Sequence, residues 1–133
     1  MRISIITVTY NSAAVLAACL DSVLTQSHTD IEQVVIDGAS TDNTLEILRL
    51  SRSRIATVVS EPDKGIYDAL NKGISSATGD IIGVLHADDV FSDSSVLARI
   101  NEEFISRFSL VYANRDPRGL RCCYTFAIAS PGP

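Results

Sequence analysis

Two adjacent carboxylates, Asp88 and Asp89, follow directly on an apolar run from Ile81 to Leu85. Neighbouring carboxylates repel unless water or a cation neutralises them. Mg²⁺ or Mn²⁺ is commonly held by one or two such groups together with phosphate oxygens, so the pair points to a substrate bearing a diphosphate. A solvated loop, with Asp93 capping the next helix, is the plainer reading of the same residues. Three more polar clusters close apolar runs: Thr9-Tyr10-Asn11, Asp37-Gly38-Ala39-Ser40 and Glu61-Pro62-Asp63-Lys64-Gly65. An exposed Tyr10 could stack on a nucleobase, or pack on the core as a strand-end aromatic. Asp37 could accept a hydrogen bond from a base N–H, or shape a turn before Gly38. Lys64 could reach a phosphate, or stay solvated. Asp68 and Lys72 have i,i+4 spacing and equally suit a surface ion pair. His86 adjoins the acidic pair and could line the same site.

These clusters need a scaffold that gathers them. Ile3 to Thr9 is a β-branched apolar run, which fits a strand buried on both faces. Further strands are predicted at Gln33–Ile36, Ala56–Val59, Ile81–Leu85 and Leu110–Tyr112. Between them, apolar residues recur at helical spacing: Val15, Leu16, Cys19, Leu20, Val23 and Leu24, then Leu45, Ile47 and Leu48, then Ile66 to Ala77, then Val96 to Ile105. Asn11 and Ser12 are N-cap candidates for the first helix, and Ser40, Thr41 and Asp42 for the second. Strands alternating with helices predict an α/β fold: an open, mostly parallel, Rossmann-like sheet with helices on both faces. The expected strand order is 3-2-1-4. Ligands of such sheets bind outside the carboxyl ends of the strands, at the point where the order reverses, here between strands 1 and 4. All four polar clusters fall at that edge.

With 133 residues the chain has room for one domain with a core of its own. Its net charge of −5 argues against a nucleic-acid partner, whose phosphates need clustered Lys and Arg. No apolar run approaches the ~20 residues of a membrane span, and the first residues lack the features of a signal peptide. Three cysteines, Cys19, Cys122 and Cys123, do not suggest a disulfide framework, which fits a reducing, cytoplasmic setting. The Gly-rich fingerprints of dinucleotide binding and of P-loops are absent, as is a hydrolase nucleophile elbow. Residues 1–114 carry a net −7 and residues 115–133 a net +2, with three of the four prolines. The segment 115–133 shows no strand or helix period and is expected to be an irregular tail, either a disordered extension or the out-of-frame end of a longer gene.

The stretches Ile3-Ser-Ile-Ile-Thr-Val-Thr-Tyr-Asn11, Val35-Ile-Asp-Gly-Ala-Ser-Thr-Asp-Asn-Thr44, Gly65-Ile-Tyr-Asp-Ala-Leu-Asn-Lys-Gly73 and Ala77-Thr-Gly-Asp-Ile-Ile-Gly-Val-Leu-His-Ala-Asp-Asp89 together resemble family 2 inverting glycosyltransferases of the A-type fold. The third resembles bacterial members that build exopolysaccharide or O-antigen chains. The resemblance implies that residues 1–114 are the part that binds a nucleoside-diphosphate sugar. It implies that Tyr10 and Asp37 contact the base, that Thr9 and Asn11 shape the donor pocket, and that Lys64 and Asp68 border it. Asp88 would lie near the ribose, and Asp89 would hold the divalent cation, Mg²⁺ or Mn²⁺, on the diphosphate, with Asp88 beside it. The acceptor implied is a glycan or a lipid-linked chain in surface polysaccharide synthesis, handled in the cytoplasm or, by peripheral association, at the inner face of the membrane. His86 stands where many members have Asp, and Leu70 where many have Arg. The family's general base lies beyond the acidic motif, and no segment after Asn114 matches it. The chain is therefore expected to be a truncated, N-terminal half of such an enzyme. A non-catalytic nucleotide-binding or interaction module is the alternative.

Overall fold

In the computed structural model, residues 1–108 and Cys122–Thr125 are described. The run Ile3–Thr9 forms β1, and all but one of its residues are buried, as expected of a central strand covered on both sides. The chain continues through α1 (Leu16–Leu24), β2 (Ile31–Asp37), α2 (Thr44–Leu50), a 3₁₀ turn (Arg52–Arg54), β3 (Thr57–Ser60), α3 (Ile66–Ser76), β4 (Ile81–Val84), α4 (Val96–Phe108) and β5 (Cys122–Thr125). Every strand pair is parallel, and the order is β3-β2-β1-β4-β5. The predicted order 3-2-1-4 and the helix-covered parallel sheet are both present.

Register assigns the two faces. Ile3, Ile5, Val35, Ile81 and Leu85 point to one side, where they pack against Leu16, Cys19, Leu20 and Val23 of α1, Leu48 of α2 and Leu97 and Phe104 of α4. Ile6, Val34, Ile36 and Ile82 point to the other, against Ala69 of α3 and Ala77 just after it. Helix α3 comes close to the sheet because position 73 is glycine: a Cβ there would overlap Ile6 Cγ2. None of the helices among the described residues is long and apolar enough to cross a membrane.

One expectation changes, and one is not reached by the structure. The strand expected at Leu110–Tyr112 lies outside the described residues. Within 115–133, expected to be irregular, Cys122–Thr125 forms β5 beside β4. The open edge of β4 presents a row of backbone donors and acceptors, and an extended segment can satisfy it without an apolar period of its own.

At the amino end of the sheet, Glu32 of β2 is only 6% exposed. Its carboxylate accepts hydrogen bonds from the Ser4 hydroxyl, from Thr78 N at 2.8 Å and from Thr78 Oγ1 at 2.9 Å. Ser4 Oγ in turn accepts from Gly79 N at 2.8 Å. The network ties β2 and β1 to the turn that enters β4. Burial pushes the Glu32 carboxyl up, but these hydrogen bonds, helped by the charge of Arg2, outweigh it and hold the group below its ordinary value of 4.5.

Two outcomes follow. A carboxyl held below its unfolded value stabilises the fold above that value and loses the contribution as the pH falls through the folded value. The stability difference between wild type and Glu32→Gln, from urea unfolding, should therefore shrink as the pH is lowered from 6 through and below about 4.5. Gly73→Ala should destabilise by roughly 1–2 kcal/mol in the same assay, because overpacking against Ile6 exceeds the gain in helix propensity.

Candidate active site

The carboxyl ends of β1, β2 and β3 are joined by one buried carboxylate. Asp37, the last residue of β2, is 0% exposed. Its Oδ2 accepts from Ser40 N at 2.9 Å and from Ser60 Oγ at 2.7 Å, and its Oδ1 accepts from the Ser40 hydroxyl. Ser40 Oγ then accepts from Asn11 N at 2.8 Å. Asn11 returns the contact: its Oδ1 accepts from Thr41 N at 2.8 Å and from Asp42 N at 3.3 Å. Asn11 and Ala39 both take positive φ, 47° and 62°, conformations these cross-loop bonds hold in place.

The expected helix caps are used differently. Asn11 does not cap α1, whose first turn has no side-chain cap. It fastens the β2–α2 loop instead. Asp42 accepts from Thr44 N at 2.9 Å and from Ala13 N at 3.2 Å. Its carboxyl is held below the usual aspartate range, chiefly by the Thr44 side chain.

The β3–α3 loop is equally bound. Gly65 has φ 110° and ψ −179°, a backbone region open in practice only to glycine. Its N–H donates to Asp63 Oδ1 at 3.0 Å, and Lys64 N donates to Asp68 Oδ2 at 3.0 Å. Lys72 Nζ reaches Glu61 at 3.0 Å, Asp68 at 3.4 Å and the Pro62 carbonyl at 3.3 Å. The Lys64 N–H, with Lys72 behind it, holds the Asp68 carboxyl below its usual range.

After β4 the chain turns at His86–Asp89, closed by Asp89 N donating to the His86 carbonyl at 3.0 Å. Cys19 Sγ, beneath this turn, donates to the same carbonyl at 3.4 Å. Burial pushes the Cys19 thiol up to about 12; the Thr7 hydroxyl opposes this, and the negative charges of Asp89 and Asp88 add to it. The acidic pair therefore bears on the core below it, and the thiol stays protonated and inert.

Between these loops lies a cavity of about 630 Å³, lined by Val8, Thr9, Tyr10, Ser12, Asp63, Gly65, Ile66, His86, Ala87 and Asp88. It sits where the strand order reverses, between β1 and β4. Of the residues singled out in the sequence, Thr9, Tyr10 and Asp88 line it together, with His86. Tyr10 is 62% exposed and lines the cavity rather than packing into the core. Asn11, Asp37, Lys64, Asp68 and Asp89 do not line it. Asn11, Asp37 and Asp68 spend their polar atoms on the loops, and the Lys64 N–H is bonded to Asp68. The sequence assigns Asp63, Ser12 and Ile66 no ligand-binding role of their own, although Asp63 falls within a strand-end cluster and Ser12 is an N-cap candidate. The Asp-x-Gly spacing of Asp63 and Gly65 was a usable signal for Asp63, since it marks a side chain bound to its own turn.

Among the described residues no group of three or more His, Cys, Asp or Glu side chains could cage a metal ion. The turn after β4 does carry two adjacent carboxylates, Asp88 and Asp89. That suits a hard cation sharing its remaining positions with phosphate oxygens and water. None of the described residues lining the cavity is Lys or Arg.

Residues 4–121 match the family model for glycosyl transferase family 2. A PGL/p-HBAD biosynthesis glycosyltransferase of Mycobacterium bovis is 43% identical over 100 residues, covering 73% of this chain and 39% of that protein. The chain thus spans well under half the length of this relative. Among solved structures, S. aureus TarS 1-349 in complex with UDP-GlcNAc superposes with a TM-score of 0.71 at 26% identity, over 82% of this chain and 32% of that one. Mannosyltransferase PcManGT from Pyrobaculum calidifontis, in complex with GDP-Man and Mn2+, gives a TM-score of 0.71 at 31% identity, over 77% and 32% respectively. The family model covers most of the sequence, and the fold superposes on these glycosyltransferase structures: the chain belongs to glycosyl transferase family 2.

Proposed function

We propose that this chain is the donor-binding part of an inverting glycosyltransferase that uses a nucleoside-diphosphate sugar with a divalent cation. The observation that carries the reading is the composition of the cavity. It pairs an exposed tyrosine ring with an acidic turn, and among the described residues no Lys or Arg lines it. A diphosphate placed beside Asp63 and Asp88 would meet their negative charge, so it would be accepted with a cation that both partners share. In this reading the base would stack on Tyr10, the ribose would pass Thr9 and Asp88, and Asp88 with Asp89 would hold Mg²⁺ or Mn²⁺. The cation supplies charge neutralisation for the departing nucleoside diphosphate. In the transfer, an acceptor hydroxyl oxygen forms a bond to the anomeric carbon as the bond to the phosphate oxygen breaks. The proton of that hydroxyl goes to a carboxylate base outside the residues assigned here.

The solved relatives support this reading, since TarS was captured with UDP-GlcNAc and PcManGT with GDP-Man and Mn2+. The acceptor proposed is a glycan or lipid-linked chain; the M. bovis relative is named for PGL/p-HBAD biosynthesis. Such an acceptor would be met in the cytoplasm, at the inner face of the membrane.

Calorimetric titration with UDP, GDP and dTDP, with and without Mn²⁺, tests the proposal. Binding of at least one of them is expected, weakened at least tenfold when the metal is chelated. Asp89→Asn should remove most of that metal dependence while leaving the fold intact by circular dichroism. Binding that is indifferent to metal, or no binding at all, would overturn the reading in favour of a module with another ligand.

A further inference from the structure

We infer that Asp63, rather than Asp37, is the carboxylate that reads the edge of the nucleobase, and that it selects bases carrying a ring N–H beside a carbonyl. The inference rests on the donor-site reading above and deepens it.

Asp37 has no surface to offer. It is fully buried, it does not line the cavity, and both its oxygens accept hydrogen bonds from Ser40 and Ser60. Asp63 is its converse. It is partly exposed and lines the cavity beside Tyr10. Its Oδ1 is fixed by the Gly65 N–H, which leaves the carboxylate with one oriented, uncommitted oxygen. Among the described residues no hydrogen bond goes to Oδ2.

The position of that oxygen is marked by Gly38. A Cβ built on Gly38 would lie 2.8 Å from Asp63 Oδ2 and 3.4 Å from Tyr10 Cδ2. The carboxylate oxygen and the edge of the tyrosine ring therefore flank the same small volume, kept clear because residue 38 has no side chain. The φ of Gly65, at 110°, and the Lys64 N–H bond to Asp68 hold the loop that carries Asp63. The acceptor is thus preorganised.

A planar base stacked on Tyr10 extends its edge into the plane beside the ring. The group waiting at that edge is an ionised carboxylate, which accepts hydrogen bonds and donates none. Uracil and thymine offer N3–H between two carbonyls, and guanine offers N1–H with its 2-amino group. Cytosine presents an unprotonated N3 at the same place, and its lone pair faces the carboxylate's own. A site built around such a bond rejects the base that lacks the donor far more strongly than apolar contact alone would.

The test is titration of the full chain with UDP, GDP, dTDP and CDP in the presence of Mn²⁺, for wild type, Asp63→Asn and Asp37→Asn. Wild type is expected to bind one or more of UDP, GDP and dTDP at least about tenfold more tightly than CDP. In Asp63→Asn the amide oxygen still accepts from Gly65, so the loop stays closed, and the NH₂ group now faces the base. That variant should lose affinity for the preferred nucleotide, gain affinity for CDP and bring the ratio to within about threefold. Asp37→Asn should lower the melting temperature and weaken all four nucleotides by one common factor. The inference is overturned if Asp63→Asn weakens all four equally, if it leaves the ratio unchanged, or if Asp37→Asn is the variant that reorders them. Failure of wild type to bind any of the four would instead overturn the donor-site reading itself.

Discussion

A charge at the end of β2 organises this fold. Removing a carboxylate from water costs several kcal/mol unless donors replace the lost hydration. Asp37 meets that demand with the Ser40 amide, the Ser40 hydroxyl and the Ser60 hydroxyl. The donors come from two separate stretches of backbone, so satisfying one carboxylate fixes the β2–α2 loop and the end of β3. Ser40 then passes the constraint to Asn11, and with it to the β1–α1 loop that carries Tyr10. A buried ion pair would have asked for a partner charge in the core. Neutral donors at a strand end do the same work and leave the charge of the adjoining cavity unaltered.

Strand β2 carries a second buried carboxylate, Glu32, near its other end, and the two divide the sheet between them. Glu32 collects Ser4 and Thr78 and closes the amino edge, where the α3–β4 turn comes back onto the strands. Asp37 collects loops at the carboxyl edge, where the chain must stay open to a ligand. The amino edge is consequently a matter of stability alone. At the carboxyl edge the same type of bond positions side chains around a cavity, so loops that would otherwise be mobile are held without being packed.

Much of this was legible in the residues because parallel strands buried on both faces leave a plain record. The β-branched run Ile3–Thr9 and the run after Gly79 had to be central strands, and their neighbours followed from alternation with apolar helical stripes. The strand-end clusters, including the acidic pair, could be located on the same logic. The fate of individual polar side chains was not legible. Asn11 precedes a helix and has the residue type of an N-cap, yet its carbonyl faces a loop some thirty positions away. Asp37 followed by glycine has the pattern of a turn, and Ser60, its register partner on the neighbouring strand β3, completes its coordination. Strand β5 was invisible for the opposite reason. Its place depends on the unfilled edge of β4, not on any period in residues 122–125.

The electrostatics of the cavity complete the argument from sequence to chemistry. Asp63 and Asp88 line it and Asp89 adjoins it, while Lys72 is bound to Glu61 and Asp68. The field of the acidic pair is strong enough to contribute to the upward shift of the buried Cys19 thiol. Under the proposed reading such a site would disfavour a bare diphosphate, and a divalent cation and the nucleotide would each improve the other's binding, a coupling that is reciprocal by thermodynamic necessity. Asp88 and Asp89 would hold that ion, which would supply the charge neutralisation that no Lys or Arg among the described lining residues provides.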